Sequence, residues 1–179
     1  MSTVKTTNIQ HPSSAVENFK LAADGTVEVY DGSAWVSVSS TGVLQVVEGT
    51  QATPVTITAT SYTTTNLSAT ITPSSASNKV LVLVRTNLFQ KRDADSRVQG
   101  EVLRGATQVF EQTHRLDGAT STNNQIMSVE WVASFLDSPA TTSATTYSLN
   151  GKLEYGSNNH SSTWHETSPG SIILMEVTP

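Results

Sequence analysis

The chain has 179 residues, of which 27 are Thr and 24 Ser, while charged residues make up only 14%. Exposed helix faces are normally built from Glu, Lys, Arg and Gln, and exposed strand faces from Thr and Ser, so the composition excludes a helix-rich architecture and points to an all-β one. A net charge of −5 with only 10 Lys and Arg is the wrong sign for phosphate-driven nucleic-acid binding, and the absence of Cys excludes disulfides, thiolate metal sites and a Cys nucleophile.

Residues 1–20 show no hydrophobic period. Thr6-Thr-Asn-Ile-Gln-His-Pro-Ser-Ser-Ala15 is polar and contains a Pro, so this stretch reads as an extended N-terminal attachment arm. It lacks the apolar core of a secretory signal. Residues 21–41 form a hairpin and linker: Thr26-Val-Glu-Val-Tyr30 alternates, Asp31-Gly32 is a favoured turn pair, and Ala34-Trp-Val-Ser-Val38 returns. An isolated hairpin is marginal in water, so Tyr30 or Trp35 is expected to pack on something outside it.

From Gly42 to the end, short apolar runs alternate with turn clusters. Strands are expected over 43–48, 55–59, 67–72, 79–89, 97–103, 107–113, 125–136, 145–153 and 171–177. Val55/Ile57/Ala59 and Leu67/Ala69/Ile71 describe strands with one wet face. Val80-Leu-Val-Leu-Val84 is apolar on both sides, so it is either a central strand or one covered by a neighbouring chain. Gly105-Ala106 suggests a tight hairpin. Nine strands with uneven loops fit a Greek-key or jelly-roll-like β-sandwich. A hydrophobic fraction of 36% is lean, which suggests that an identical neighbour completes the packing. No apolar run approaches the ~20 residues of a membrane helix.

Ser is abundant and His occurs at 11, 114, 160 and 165, but no Gly-x-Ser-x-Gly elbow is present. Asp93 and Asp95 have the spacing of a carboxylate pair or a Ca²⁺ loop. Counting from Asp93, however, the sixth and twelfth places hold Val98 and Arg104 in place of the required Gly and Glu. A charged turn, with Lys91, Arg92 and Arg97 balancing the two Asp, is the preferred reading. His160, His165 and Glu166 crowd one stretch, yet a single chain offers too few ligands for zinc unless a three-fold axis brings copies together. No catalytic residue, cofactor or metal is therefore assigned.

The stretch Tyr155 to Gly170 is long for a connection, and long loops on β-scaffolds are where recognition usually resides. Tyr155 and Trp164 offer flat faces for sugar C–H edges, and Asn158, Asn159 and His160 offer polar groups for hydroxyls. The competing reading, that Trp164 plugs the end of the sandwich, carries more weight because aromatics are large buried payloads. A second polar loop spans Asp117 to Asn124.

Thr6 to Ala15 followed by Leu21-Ala-Ala-Asp-Gly-Thr-Val27 resembles the start of fibre-like virion proteins of marine tailed phages, cyanophages especially. Gly42-Val-Leu-Gln-Val-Val47, Ile71-Thr-Pro-Ser-Ser-Ala-Ser-Asn-Lys79, Leu136 to Tyr147 and Ser171 to Val177 resemble the β-rich domain of those tail-fibre-type proteins. The resemblance implies a non-enzymatic virion component assembled in the host cytoplasm, of short tail-fibre or tip type, and a homotrimer. Ile9, His11, Pro12, Tyr30 and Trp35 would attach it to other virion proteins, and the distal loops would meet host-surface polysaccharide. A capsid or tail decoration with a purely architectural role is the alternative. Neither nucleic acid nor membrane insertion is expected.

Overall fold

The computed structural model describes residues 8–9, 19–21, 27–30, 33–37, 42–92, 96–116, 125–154 and 161–179; His11, Pro12, Asp93, Asp95, Tyr155, Asn158, Asn159, His160 and the loop 117–124 lie outside them. Every regular element among the described residues is a β-strand. The chain divides into two compact units, Met1–Thr41 and Gly42–Pro179.

The first unit is a four-stranded antiparallel sheet in chain order: β1 (Asn8–Ile9), β2 (Phe19–Leu21), β3 (Val27–Tyr30) and β4 (Trp35–Ser37). The hairpin forms where the alternation places it. It is not alone, however, because Ile9 pairs with Phe19 and Phe19 with Val29. Part of the expected arm is therefore a strand, which supplies the pairing that a lone hairpin lacks. Tyr30 and Trp35 sit opposite each other with ring centroids 5.6 Å apart, and the Lys20 ammonium lies 5.3 Å over the Trp35 ring. These two aromatics pack on each other.

The second unit is a sandwich. One sheet runs β10 (Thr107–Leu116), β9 (Ser96–Arg104), β12 (Thr145–Leu153), β7 (Thr63–Ile71). The other runs β5 (Val43–Gln51), β14 (Gly170–Val177), β8 (Lys79–Arg92), β13 (Ser161–Trp164), β6 (Val55–Ile57), with β11 (Gln125–Asp137) on the far edge of β8. Neighbours such as β5 with β14 and β7 with β12 are distant in sequence, so the chain crosses between sheets in the manner of a Greek key. Alternation fixes which face is inside: Leu67, Ala69 and Ile71 on β7 and Leu149 and Leu153 on β12 enter one core with Val80, Val82, Ile172 and Leu174 of the facing sheet. The doubly apolar run at Val80 is the central strand β8, flanked by β14 and β11. Gly105, with φ 57°, takes the left-handed first position of the turn joining β9 to β10, a place where Gly carries no Cβ penalty.

One expectation is corrected here. The stretch before Gly170 contains a strand, β13, which pairs with both β6 and β8, so Trp164 does not lie in a recognition loop. The Asp93/Asp95 turn lies outside the described residues; among those described, the Arg97 guanidinium bridges Glu154, the residue that follows β12, at 3.0 Å.

Ala140, exposed in the connection between β11 and β12, has φ 52°, a left-handed conformation that costs a Cβ-bearing residue roughly 1–2 kcal/mol. Ala140→Gly is expected to raise stability by about 0.5–1 kcal/mol, less than the full relief because Gly also frees the unfolded chain. A chemical-denaturation midpoint that falls on this substitution would refute the strain.

Candidate functional site

The centre of the sandwich is built on a pair of glycines. Gly100 on β9 and Gly151 on β12 are directly paired, so the four-stranded sheet presents two adjacent positions without Cβ atoms. The indole of Trp131 from β11 fills the place over Gly100, and that of Trp164 from β13 the place over Gly151. A Cβ at either glycine would stand 2.6 Å from an indole atom. The two indoles meet edge to face at 6.1 Å, and both side chains are 0% exposed. The Trp164 indole N–H donates to Ser162 Oγ at 3.2 Å. Trp164 therefore belongs to the core and has no free face for a sugar, which removes it from the expected glycan contacts.

His165 follows at once and does a related job. β13 and β14 share one edge of β8, β13 along Leu88 to Lys91 and β14 along Lys79 to Arg85. The chain leaves β13 through His165, whose φ is 64°, and its backbone N–H donates to Asn87 O at 2.9 Å in the gap between the two pairings. The buried ring spans the sandwich. Nδ1 is 2.7 Å from Thr86 Oγ1, and Nε2 is 3.2 Å from Thr65 O on the opposite sheet. A carbonyl only accepts, so Nε2 carries the proton. Thr65 O turns inward because β7 bulges there: the register with β12 slips at Leu149/Asn150, and Asn66 adopts φ 63°. Burial lowers the His165 pKa, and the Thr65 carbonyl bond opposes that only in part. A neutral ring with both nitrogens engaged is a strut, not a metal ligand or a base.

Two further polar clusters brace strands in the same way. The buried Glu176 carboxylate on β14 accepts from Ser74 N and Oγ, both at 2.7 Å, from Asn78 Nδ2 at 2.6 Å and from Gln45 Nε2 at 2.5 Å. These tie the Pro73-Ser-Ser-Ala-Ser-Asn78 turn to β14 and β5. In the same row, on the other side of β8, Asp137 holds the Arg104 guanidinium at 2.8 Å and accepts from the Tyr147 hydroxyl at 2.6 Å, linking β11, β9 and β12. Burial and that carboxylate both raise the Tyr147 pKa. An open groove beside this cluster is lined by Arg104, Gly105, Pro139, Thr141 and Thr145, but its cation is already neutralised by Asp137.

Of the residues singled out for glycan, four lie outside the described set and Trp164 is internal. Of those singled out for attachment, Ile9 sits in β1 opposite Phe19, and Tyr30 and Trp35 contact each other. Sequence reasoning missed Tyr62, a half-exposed aromatic whose hydroxyl donates to Glu111 at 2.9 Å, but the Lys152 ammonium covers its ring at 4.3 Å. No alternation surrounds Tyr62, so nothing in the sequence marked it.

No family model and no curated protein matches the chain. Among solved structures it is similar to a chain in the structure of infectious bursal disease virus Gx strain, at 13% identity and TM-score 0.37 over 91% of this chain and 41% of that one. A chain of the T=1 particles derived from infectious bursal virus gives 13% identity and TM-score 0.31 over 83% and 39% respectively. The chain thus spans about two fifths of the length of those chains. Likeness at this level assigns no function.

Proposed function

We propose that the protein is a structural component of a virion, with its first unit serving attachment and its sandwich serving as a rigid body. One observation carries this reading: the inward-facing polar side chains that would suit chemistry, buried His165 and Glu176 and part-buried Asp137, are each spent on bracing strands against one another. Such groups stiffen a scaffold, and among the described residues they are not poised toward solvent as a base, nucleophile or metal ligand. The segmental resemblance to phage fibre-like proteins supplies the virion context. Between the two finer versions, the burial of Trp164 favours the architectural one over the short tail-fibre or tip-type homotrimer that adheres to host glycan. Fold alone would not decide the question, because sandwiches host many functions.

The test is location and dependence. Mass spectrometry of purified particles should find the chain in a fixed copy number, and a version lacking Met1–Thr41, cut at the boundary between the two units, should be absent from them. Particles that lack the full chain, or that incorporate the truncated one equally well, would overturn the assignment.

A further inference from the structure

The two outer faces of the sandwich are chemically unlike. In an antiparallel ladder, directly paired residues point to the same side, so register alone maps each face. On the four-stranded sheet the outward rows are polar: Thr70 opposite Thr146, Asn150 opposite Glu101, Gln99 opposite Thr113. Leu103 is the one aliphatic side chain on that face among the described residues. This is a polar outer face, with Glu101 buried among its neighbours and bonded to Asn150.

The outward face of the other sheet is different. Val46, Met175, Leu81 and Leu136 form one continuous row across β5, β14, β8 and β11. Ile173 and Leu83 lie side by side in the next row. Val46 is 57% exposed, Leu136 52% and Val132, further along β11, 48%. Over the rows from Lys79 to Asn87, which hold the apolar patch, the charges are Lys79, Arg85, Glu48 and Glu130, two of each sign, with Arg85 paired to Glu130.

We propose that this face is where copies of the chain associate with one another. Its extent is close to what such a contact needs: with strands about 4.8 Å apart and same-side residues about 6.8 Å apart, the rows from Lys79 to Arg85 across the four strands span roughly 500 Å², and β8 and β11 continue beyond them. Specific, stable interfaces bury about 600–1,000 Å² per partner. Its charge is also right. A chain of net charge −5 repels its own copies, and a contact face with balanced charges removes that repulsion locally. The occupant is a second copy because the face is apolar at its centre and carries both charge signs around it. An isologous or cyclic contact can therefore set Lys79 or Arg85 of one copy near Glu48 or Glu130 of another. The inference rests on the geometry of this face and stands or falls separately from the virion reading.

The test is sedimentation velocity of the full-length chain alone. The expected species has two or three times the 19.1 kDa chain mass, two if sheets meet face to face and three if they surround an axis. Val46→Glu with Leu136→Glu, which puts like charges at both ends of the row in a chain already acidic, should convert it to a monomer with an unchanged far-UV spectrum, since both side chains are largely exposed already. Thr146→Glu on the polar face should leave the oligomer intact. Should the double variant lose its fold, single cysteines answer the same question in this Cys-free chain. Cysteine introduced at Leu136 should react with maleimide many-fold more slowly than one at Thr146. A monomeric parent chain, an oligomer that survives the double variant, or equal labelling at the two positions would each overturn the proposal.

Discussion

Trp164→Ala is expected to lower the unfolding free energy by about 3–5 kcal/mol, the usual cost of emptying a large aromatic site in a packed core. The indole is fully buried, touches Trp131 edge to face and covers the bare backbone of Gly151. Gly151→Ala should also destabilise, by about 1–3 kcal/mol, for the opposite reason, because its Cβ has no room beneath the ring. The two lesions share one space, so the double variant should cost clearly less than the sum of the single ones. A coupling of about 1 kcal/mol or more by denaturant titration is expected for residues in direct contact. Additive effects would show that the two positions do not share a packing site. Gly100 with Trp131 is a second, independent instance of the arrangement and should behave alike. If Trp164→Ala variants bind cells poorly, the loss should track unfolding and vanish when compared at equal folded fraction.

Much of the sandwich was legible because burial on one face writes itself into the sequence at period two. Leu67/Ala69/Ile71 and the doubly apolar Val80–Val84 stretch are where they should be for that reason. Elements were lost where local geometry breaks the period. β7 begins at Thr63, four residues ahead of the visible alternation, because the inward position there is the polar Thr65 and the register with β12 slips beside it. β13 is only Ser-Ser-Thr-Trp, and its inward pair is Ser162 and Trp164, so no apolar alternation announces it. Trp164 and His165 looked like loop residues suited to a ligand because sequence shows chemistry and not partners. What consumes them, Gly151, Thr86 and Thr65 O, comes from strands far away in the chain. The apolar outer face was foreshadowed by the lean composition and by the doubly apolar Val80–Val84 run, but its rows are assembled across four strands that are not neighbours in sequence, so its extent was not legible.

Glu176 gives the second large effect and the chain's clearest acid dependence. Burial on its own would raise the carboxyl pKa, but hydrogen bonds from Asn78, Gln45 and Ser74 outweigh it and hold the value at about 2, below the ordinary 4.5. A depressed folded-state pKa means that the unfolded chain binds the proton more readily. The stability from this group is therefore complete above about pH 4.5 and is lost as pH falls toward 2. His165 acts earlier on the same descent. Its pKa is also depressed, from 6.5, so stability that depends on its neutral ring begins to fade below that pH. Glu176→Gln separates the two. Its amide oxygen can keep the bonds from Ser74 and Asn78, but its NH2 then faces Gln45 Nε2, itself a donor, so it should cost about 1–3 kcal/mol at neutral pH through that unsatisfied pair. Between pH 4.5 and 2 the variant should lose less further stability than the parent, while the decline that begins near pH 6.5 should be common to both. Denaturation midpoints measured across this range decide it. Parallel profiles for parent and variant below pH 4.5 would mean that the carboxylate is not what ties the 73–78 turn to β14.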